Sequence, residues 1–142
     1  MLVREAMSTD VVTVNSDADL RSAAKTMLQH GVGSAIVTHQ SNPVGIITET
    51  DALKAGAVTN RPFAKIPVRK IMSHPLRTTR PTATVRAAVS KMQGESLKKL
   101  AVVDGMDLVG IITITDIIRN HETLLKHAVS LDQHRSRWES DR

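Results

Sequence analysis

Cysteine is absent from this chain of 142 residues, so it has no disulfide, no thiolate to offer a metal and no thiol nucleophile. Tyrosine is absent too, and phenylalanine and tryptophan occur once each. The core must therefore be aliphatic, and a flat ligand would be gripped by Val, Ile and Leu instead of stacking on rings. No apolar run approaches the roughly 18 residues of a membrane-crossing helix. The start, MLVREAM, lacks the apolar stretch of a signal peptide. These absences lead to the expectation of a cytoplasmic protein with no membrane association. The signatures of common enzyme classes are missing as well. There is no G-x-x-x-x-G-K-[ST], no G-x-S-x-G and no H-E-x-x-H, and GVGSAI (31–36) lacks the third glycine of a dinucleotide fingerprint. No catalytic residue is assigned and no enzymatic activity is expected. His121 and His127, six apart, would fall on different helix faces, so no metal site is assigned either.

Acidic residues are missing from one long stretch. Nineteen Lys and Arg against fourteen Asp and Glu give a net charge of +5, but between Asp51 and Glu95 there is no carboxylate. That stretch holds nine basic side chains: Lys54, Arg61, Lys65, Arg69, Lys70, Arg77, Arg80, Arg86 and Lys91. A one-sided field of this kind favours an anionic partner. It motivates an alternative reading of the basic 52–94 stretch, as a sequence-independent nucleic-acid contact or a docking scaffold. The shortage of aromatics argues against single-strand binders, which stack bases on rings.

What the chain does contain, it contains twice. GIITETD (45–51) recurs as GIITITD (110–116), 65 positions later. At the same offset Met7-Ser8 recurs as Met72-Ser73, Thr13 as Thr78, Arg21 as Arg86, Met27 as Met92 and Val37 as Val102. Matches held in one register over so long a span indicate a duplicated structural unit. In the first copy VVTV (11–14) reads as extended and SDADLRSAAKTMLQHG (16–31) as helical. Leu20, Ala23, Ala24, Met27 and Leu28 share one face, and Ser16 with Asp19 forms a capping box. SAIVT (34–38) and PVGIIT (43–48) flank the turn signal QSNP and predict a hairpin, followed by a helix over about 49–56. The second copy repeats this with LRTT, a helix to Gly94, LAVVD, a GMD turn, LVGIIT and a helix over about 115–128. Each unit is β-α-β-β-α and too small to be stable alone. The fold class is α+β, two such units packed about a pseudo-twofold axis. The divisions are 1–58, a linker 59–70, 71–128 and a polar tail 129–142, whose Trp138 reads as part of a frayed end.

This order of elements, with G-I-I-T-x-T-D opening a helix in each copy, resembles a tandem pair of cystathionine-β-synthase-type (CBS) domains over residues 1–127. The resemblance implies a sensor that binds adenosine-containing ligands (AMP, ADP, ATP or S-adenosylmethionine) in clefts between the two motifs. It also implies a homodimer, with contacts through the exposed helix faces around 17–30 and 115–128, and an effector protein that the sequence does not identify. No cofactor is implied beyond the regulatory ligand. Mapped onto this chain, cleft A would use Thr113 and Asp116 with Thr13, Val32, Gly33 and Ser34. Cleft B would use Thr48 and Asp51 with Thr78, Leu97 and Leu100. Lys98, Lys99 and Arg119 are the candidate phosphate ligands of cleft A. A carboxylate only accepts hydrogen bonds, which suits it to two vicinal hydroxyls. Thr48/Asp51 and Thr113/Asp116 are also S/T-x-x-D, the signature of a helix cap and its N3 acid. Capping alone does not ask for the glycine that precedes each motif.

Overall fold

The computed structural model describes residues 1–129, with side chains described up to His121. Trp138, His134 and the expected frayed tail from 130 onward lie outside the described residues, as does the side chain of His127. The elements run α1 (Val3–Ala6), β1 (Thr13–Asn15), α2 (Leu20–His30), β2 (Ser34–His39), β3 (Asn42–Thr48) and α3 (Glu49–Thr59). After a 3-10 turn (Phe63–Lys65) come α4 (Val68–Ile71), β4 (Thr78–Thr79), α5 (Val85–Gly94), β5 (Lys99–Asp104), β6 (Asp107–Thr113) and α6 (Ile114–Val129). Two three-stranded sheets result, β1-β2-β3 and β4-β5-β6. In each, the first pair is parallel and the second is an antiparallel hairpin. The α+β expectation holds, with one short helix added at the front of each unit.

The hairpins form where their turn chemistry places them. Gln40 and Ser41 both take positive φ (50° and 67°), and in the second copy Gly105 does so (64°). Such conformations match the twist of a tight two-residue connection. The register shift between Val37 and Thr38 recurs between Val102 and Val103, so the irregularity is duplicated with the sequence.

Helix α2 begins later than the sequence suggests. Its cap is Asp19, which accepts a hydrogen bond from the Ser22 N–H at 2.8 Å. Ser16 is buried and meets His39 Nδ1 at 3.0 Å, so the predicted capping box does not form. The inward face is Leu20, Ala23 and Met27; Leu28 is 79% exposed and stays out of the core. Gly31 ends the helix with φ of 63°, a conformation that glycine takes without strain.

Two aliphatic cores are built, and each takes a piece from the other end of the repeat. The first gathers Leu20, Met27, Val37 and Ile47 with Ile66 and Val68 from the stretch 59–70 that leads into the second copy. The second gathers Met92, Leu100, Val102 and Ile112 with Val3 and Ala6 from the start of the first. Backbone bonds fix the exchange. Val3 N–H donates to Ala83 O (2.8 Å), and Val85 N–H to Met1 O (2.9 Å). Reciprocally, Leu20 N–H donates to Ile66 O (2.8 Å), and Val68 N–H to Ala18 O (3.0 Å). Each sheet is then bridged at the same place. Ser8 exchanges two 2.9 Å bonds with Ile111, and Ser73 does likewise with Ile46 at 2.8 and 3.0 Å.

Candidate functional site

The repeated motif occupies the end of the last strand and the first turn of the following helix in each unit. The two capping boxes are nearly superimposable in their distances. Thr48 N–H donates to Asp51 Oδ2 (2.9 Å), and Asp51 N–H donates to Thr48 Oγ1 (3.1 Å). Thr113 N–H donates to Asp116 Oδ2 (3.0 Å), and Asp116 N–H donates to Thr113 Oγ1 (3.0 Å). Both pairs therefore satisfy helix-end donors that would otherwise be orphaned. The glycine of the motif has a separate cause. A Cβ on Gly45 would stand 2.8 Å from Ser73 O and 2.9 Å from Met72 Sδ. A Cβ on Gly110 would stand 2.8 Å from Ser8 O and 2.7 Å from Met7 Sδ. The exchanged segment, not a ligand, demands each glycine.

Beside Asp116 lies a cleft of about 330 Å³ that draws on both units. One wall carries Val32, Gly33 and Ser34 from the α2–β2 turn; the other carries Lys99 from β5, Thr113 from β6, and Asp116 and Arg119 from α6. Seven of the nine residues expected in cleft A thus line one cavity. Thr13 is displaced into an adjoining cavity of about 520 Å³ with Val12, Thr26 and His30. Lys98 is exposed and is not part of the lining; its carbonyl accepts the Ile114 N–H at 3.0 Å. The cleft also contains Ser8, Asp10, Val11, Val12, Ile111 and Thr115, none of them expected. The first four arrive on the segment that follows α1. The recurring Met-Ser pair carries that signal, because the residues just after it enter the space between the units.

The charges that line the cleft are balanced, Asp10 and Asp116 against Lys99 and Arg119. Asp116 has a side chain 15% exposed, with Oδ1 at 3.9 Å from Arg119 Nη1. Arg119 takes part in further interaction within the structure. Lys99 faces Thr113 across the β5–β6 ladder. Burial pushes the Lys99 ammonium below the usual lysine range; Glu49 and Asp51 oppose that and Lys98 adds to it. Lys99 therefore lines the cleft of Asp116 while feeling the carboxylate of the other motif.

None of the five residues expected in cleft B lines the cleft of Asp116. Leu100 is 1% exposed within the second core, and Leu97 packs against that core. Thr78 lines a separate groove of about 1040 Å³ that reaches the Asp104–Gly105 turn. Thr48 and Asp51 line none of these three cavities. The larger groove contains neither aspartate of the repeated motif, so chemistry, not size, identifies the smaller cleft as the candidate site.

Comparison with known proteins agrees with this architecture. The chain matches the CBS domain family over residues 3–58 and again over 68–122. It belongs to that family, and the pair of domains is a regulatory ligand-binding module. It is 30% identical to the CBS domain-containing protein YhcV of Bacillus subtilis over 118 residues, covering 83% of this chain and 84% of that one. It is 32% identical to the uncharacterized protein MJ1404 of Methanocaldococcus jannaschii over 140 residues, 89% of this chain but only 33% of that longer protein. Among solved structures, the CBS domain pair of protein MJ0100, in complex with methylthioadenosine and S-adenosyl-L-methionine, superimposes with a TM-score of 0.78 at 27% identity. That match covers 87% of this chain and 97% of the other. Among the described residues no helix is long and apolar enough to cross a membrane.

Proposed function

We propose that this chain is a sensor of an adenosine-containing small molecule, AMP, ADP, ATP or S-adenosylmethionine, bound in the cleft of Asp116. The carrying observation is the set of groups facing one another there. Asp116 commits Oδ2 to the helix cap and keeps Oδ1 toward Arg119, leaving acceptor capacity for a ribose diol. Lys99 and Arg119 supply cations for a phosphate at the start of α6, where the helix dipole adds to the attraction. Val11, Val12 and Val32 offer the aliphatic walls on which a purine can lie in a protein so poor in rings. The volume falls within the range of small-molecule sites, about 300–1,000 Å³. The ligands held by the MJ0100 pair support the same chemical class.

In this reading the cleft of Asp51 is the weaker site, and the chain is a regulator without catalysis of its own. It acts as a homodimer, for which the exposed apolar side chains Leu28, Leu53, Val58 and Ile118 on α2, α3 and α6 are the natural contacts. Occupancy draws the Gly31–Ser34 turn toward α6 and favours one arrangement of the two units, which an effector protein reads. Isothermal titration with AMP, ATP, S-adenosylmethionine and GTP tests it. Saturable binding of an adenine ligand but not of GTP is the expected result. No heat with any adenine compound would remove the proposal and leave Asp116 as a helix cap.

A further inference from the structure

The groove of about 1040 Å³ away from the repeated motif is walled by α1, the loop after β4, α5 and the β5–β6 turn. Three cations line it: Arg4, Arg80 and Lys91, against one carboxylate, Asp104. All three are exposed. Lys91 Nζ donates to Thr78 O at 2.6 Å, which holds the ammonium at the groove with two N–H bonds to spare. Among the described residues neither Arg4 nor Arg80 forms an ion pair with a carboxylate. The hydroxyls of Thr79 and Thr82 add to the polar part of a lining that also includes Met7, Val103 and Val109 and contains no aromatic ring.

The duplication supplies an internal control for whether the fold needs these charges. At the 65-residue offset Arg4 corresponds to Arg69, but Arg80 corresponds to Asn15, Lys91 to Thr26 and Thr82 to Asp17. The first copy builds the same strand, helix and hairpin with those residues. It also ties that region to itself: Ser16 Oγ meets His39 Nδ1 at 3.0 Å, and Asp17 N–H donates to Asn15 Oδ1 at 2.8 Å. Arg80 and Lys91 are therefore not required by the architecture. They convert a neutral, self-bonded end of the unit into an open cationic one.

We propose that this groove is a second binding site, distinct from the cleft of Asp116, for a small anion bearing several phosphates. A single charge at exposed cations is screened by salt and held weakly. An anion long enough to meet Arg4, Arg80 and Lys91 together makes several charge-assisted bonds at once. The missing rings disfavour nucleic acid, whose bases would find nothing to stack on.

The test is isothermal titration of the whole chain with inorganic tripolyphosphate, alongside Arg80→Gln, Lys91→Gln and Arg69→Gln, with circular dichroism to establish that each variant is folded. Each substitution removes one positive charge, so net charge is matched. Saturable binding at one site is expected, weakened on the order of tenfold by Arg80→Gln or Lys91→Gln, as for loss of one charged hydrogen bond. Arg69→Gln should leave it unchanged. Absence of saturable binding, or equal weakening by Arg69→Gln, would overturn the site in favour of diffuse charge. Loss of binding with Lys99→Gln, while Arg80→Gln and Lys91→Gln bind as the parent does, would place the anion in the other cleft. A thymidine oligonucleotide held more tightly than tripolyphosphate, through Arg80, would overturn the small-anion assignment in favour of a nucleic-acid surface.

Discussion

Ser8 and Gly110 stand so close that a methyl group on the glycine would lie 2.8 Å from the serine carbonyl oxygen. The serine belongs to the first copy of the repeat and the glycine to the second. Their contact is where the two units are sewn together, and Ser73 with Gly45 repeats it on the other side at the same 2.8 Å.

Gly110→Ala should therefore destabilise the chain by about 1–3 kcal/mol, the cost of forcing a methyl group into filled space. The obstacle includes backbone, which cannot swing aside as a flexible side chain can. Gly94, at the end of α5, has nothing within 4 Å of its would-be Cβ. Gly94→Ala should be neutral or stabilise by about 0.4–1 kcal/mol. Urea unfolding of the two variants side by side checks the contrast.

The exchange of segments gives a second expectation. Val3 is completely buried in the core of Met92, Val102 and Ile112, although it is far from them in sequence. Val3→Ala should cost about 2 kcal/mol from lost burial and the cavity left behind. Its counterpart Val68→Ala should cost a similar amount in the other core. Hydrogen exchange should show Val3→Ala loosening β5 and β6 before β2 and β3.

Lys99 leads to a pH dependence. Burial lowers its pKa in the folded chain, so between that value and the ordinary lysine value the unfolded state binds more protons. Stability from this group then rises as pH rises through that alkaline window. An anionic ligand beside Lys99 would draw its pKa back up. Binding of AMP in the same window should take up protons, seen as a binding enthalpy that depends on the ionisation heat of the buffer. In Lys99→Met that buffer dependence should vanish.

Self-association can be tested where apolar side chains are left exposed. Leu28 is 79% and Ile118 is 53% exposed, so charging them removes no core contact. The double variant Leu28→Lys, Ile118→Lys should sediment as a monomer while its unfolding midpoint at low concentration stays near that of the parent chain.

Much of this architecture is legible in the sequence, for identifiable reasons. The hairpins announce themselves through β-branched runs around turn residues, and α2 through its helical period. The start of α2 is not legible, because Ser16 and Asp19 are both good caps. Burial of Ser16 against His39 decides between them. The exchange of segments is hidden for a different reason. Val3 and Val68 occupy equivalent places in the repeat, and periodicity does not say which copy's core receives them. That exchange also explains the glycines, for which the sequence offers only the ligand as a cause. In the candidate site the family resemblance supplies Asp116, Thr113 and the Val32–Ser34 turn, which meet in one cavity. Strand alternation separates the remaining candidates: Lys99 and Leu100 are neighbours on β5 and must face opposite sides, one lining the cleft and the other the core.

The measurement that goes most directly to the sensor account is thermal unfolding with and without adenine ligands in three chains: the parent, Asp51→Ala and Asp116→Ala. The two N3 acids are matched in cap geometry, so both substitutions should lower stability by similar amounts, about 0.3–2 kcal/mol. Ligand at about 100 times its dissociation constant should stabilise a competent chain by roughly 2.7 kcal/mol. The account predicts that the parent and Asp51→Ala gain this increment and that Asp116→Ala does not. An increment retained in full by Asp116→Ala, or absent from the parent with every adenine ligand, would contradict it.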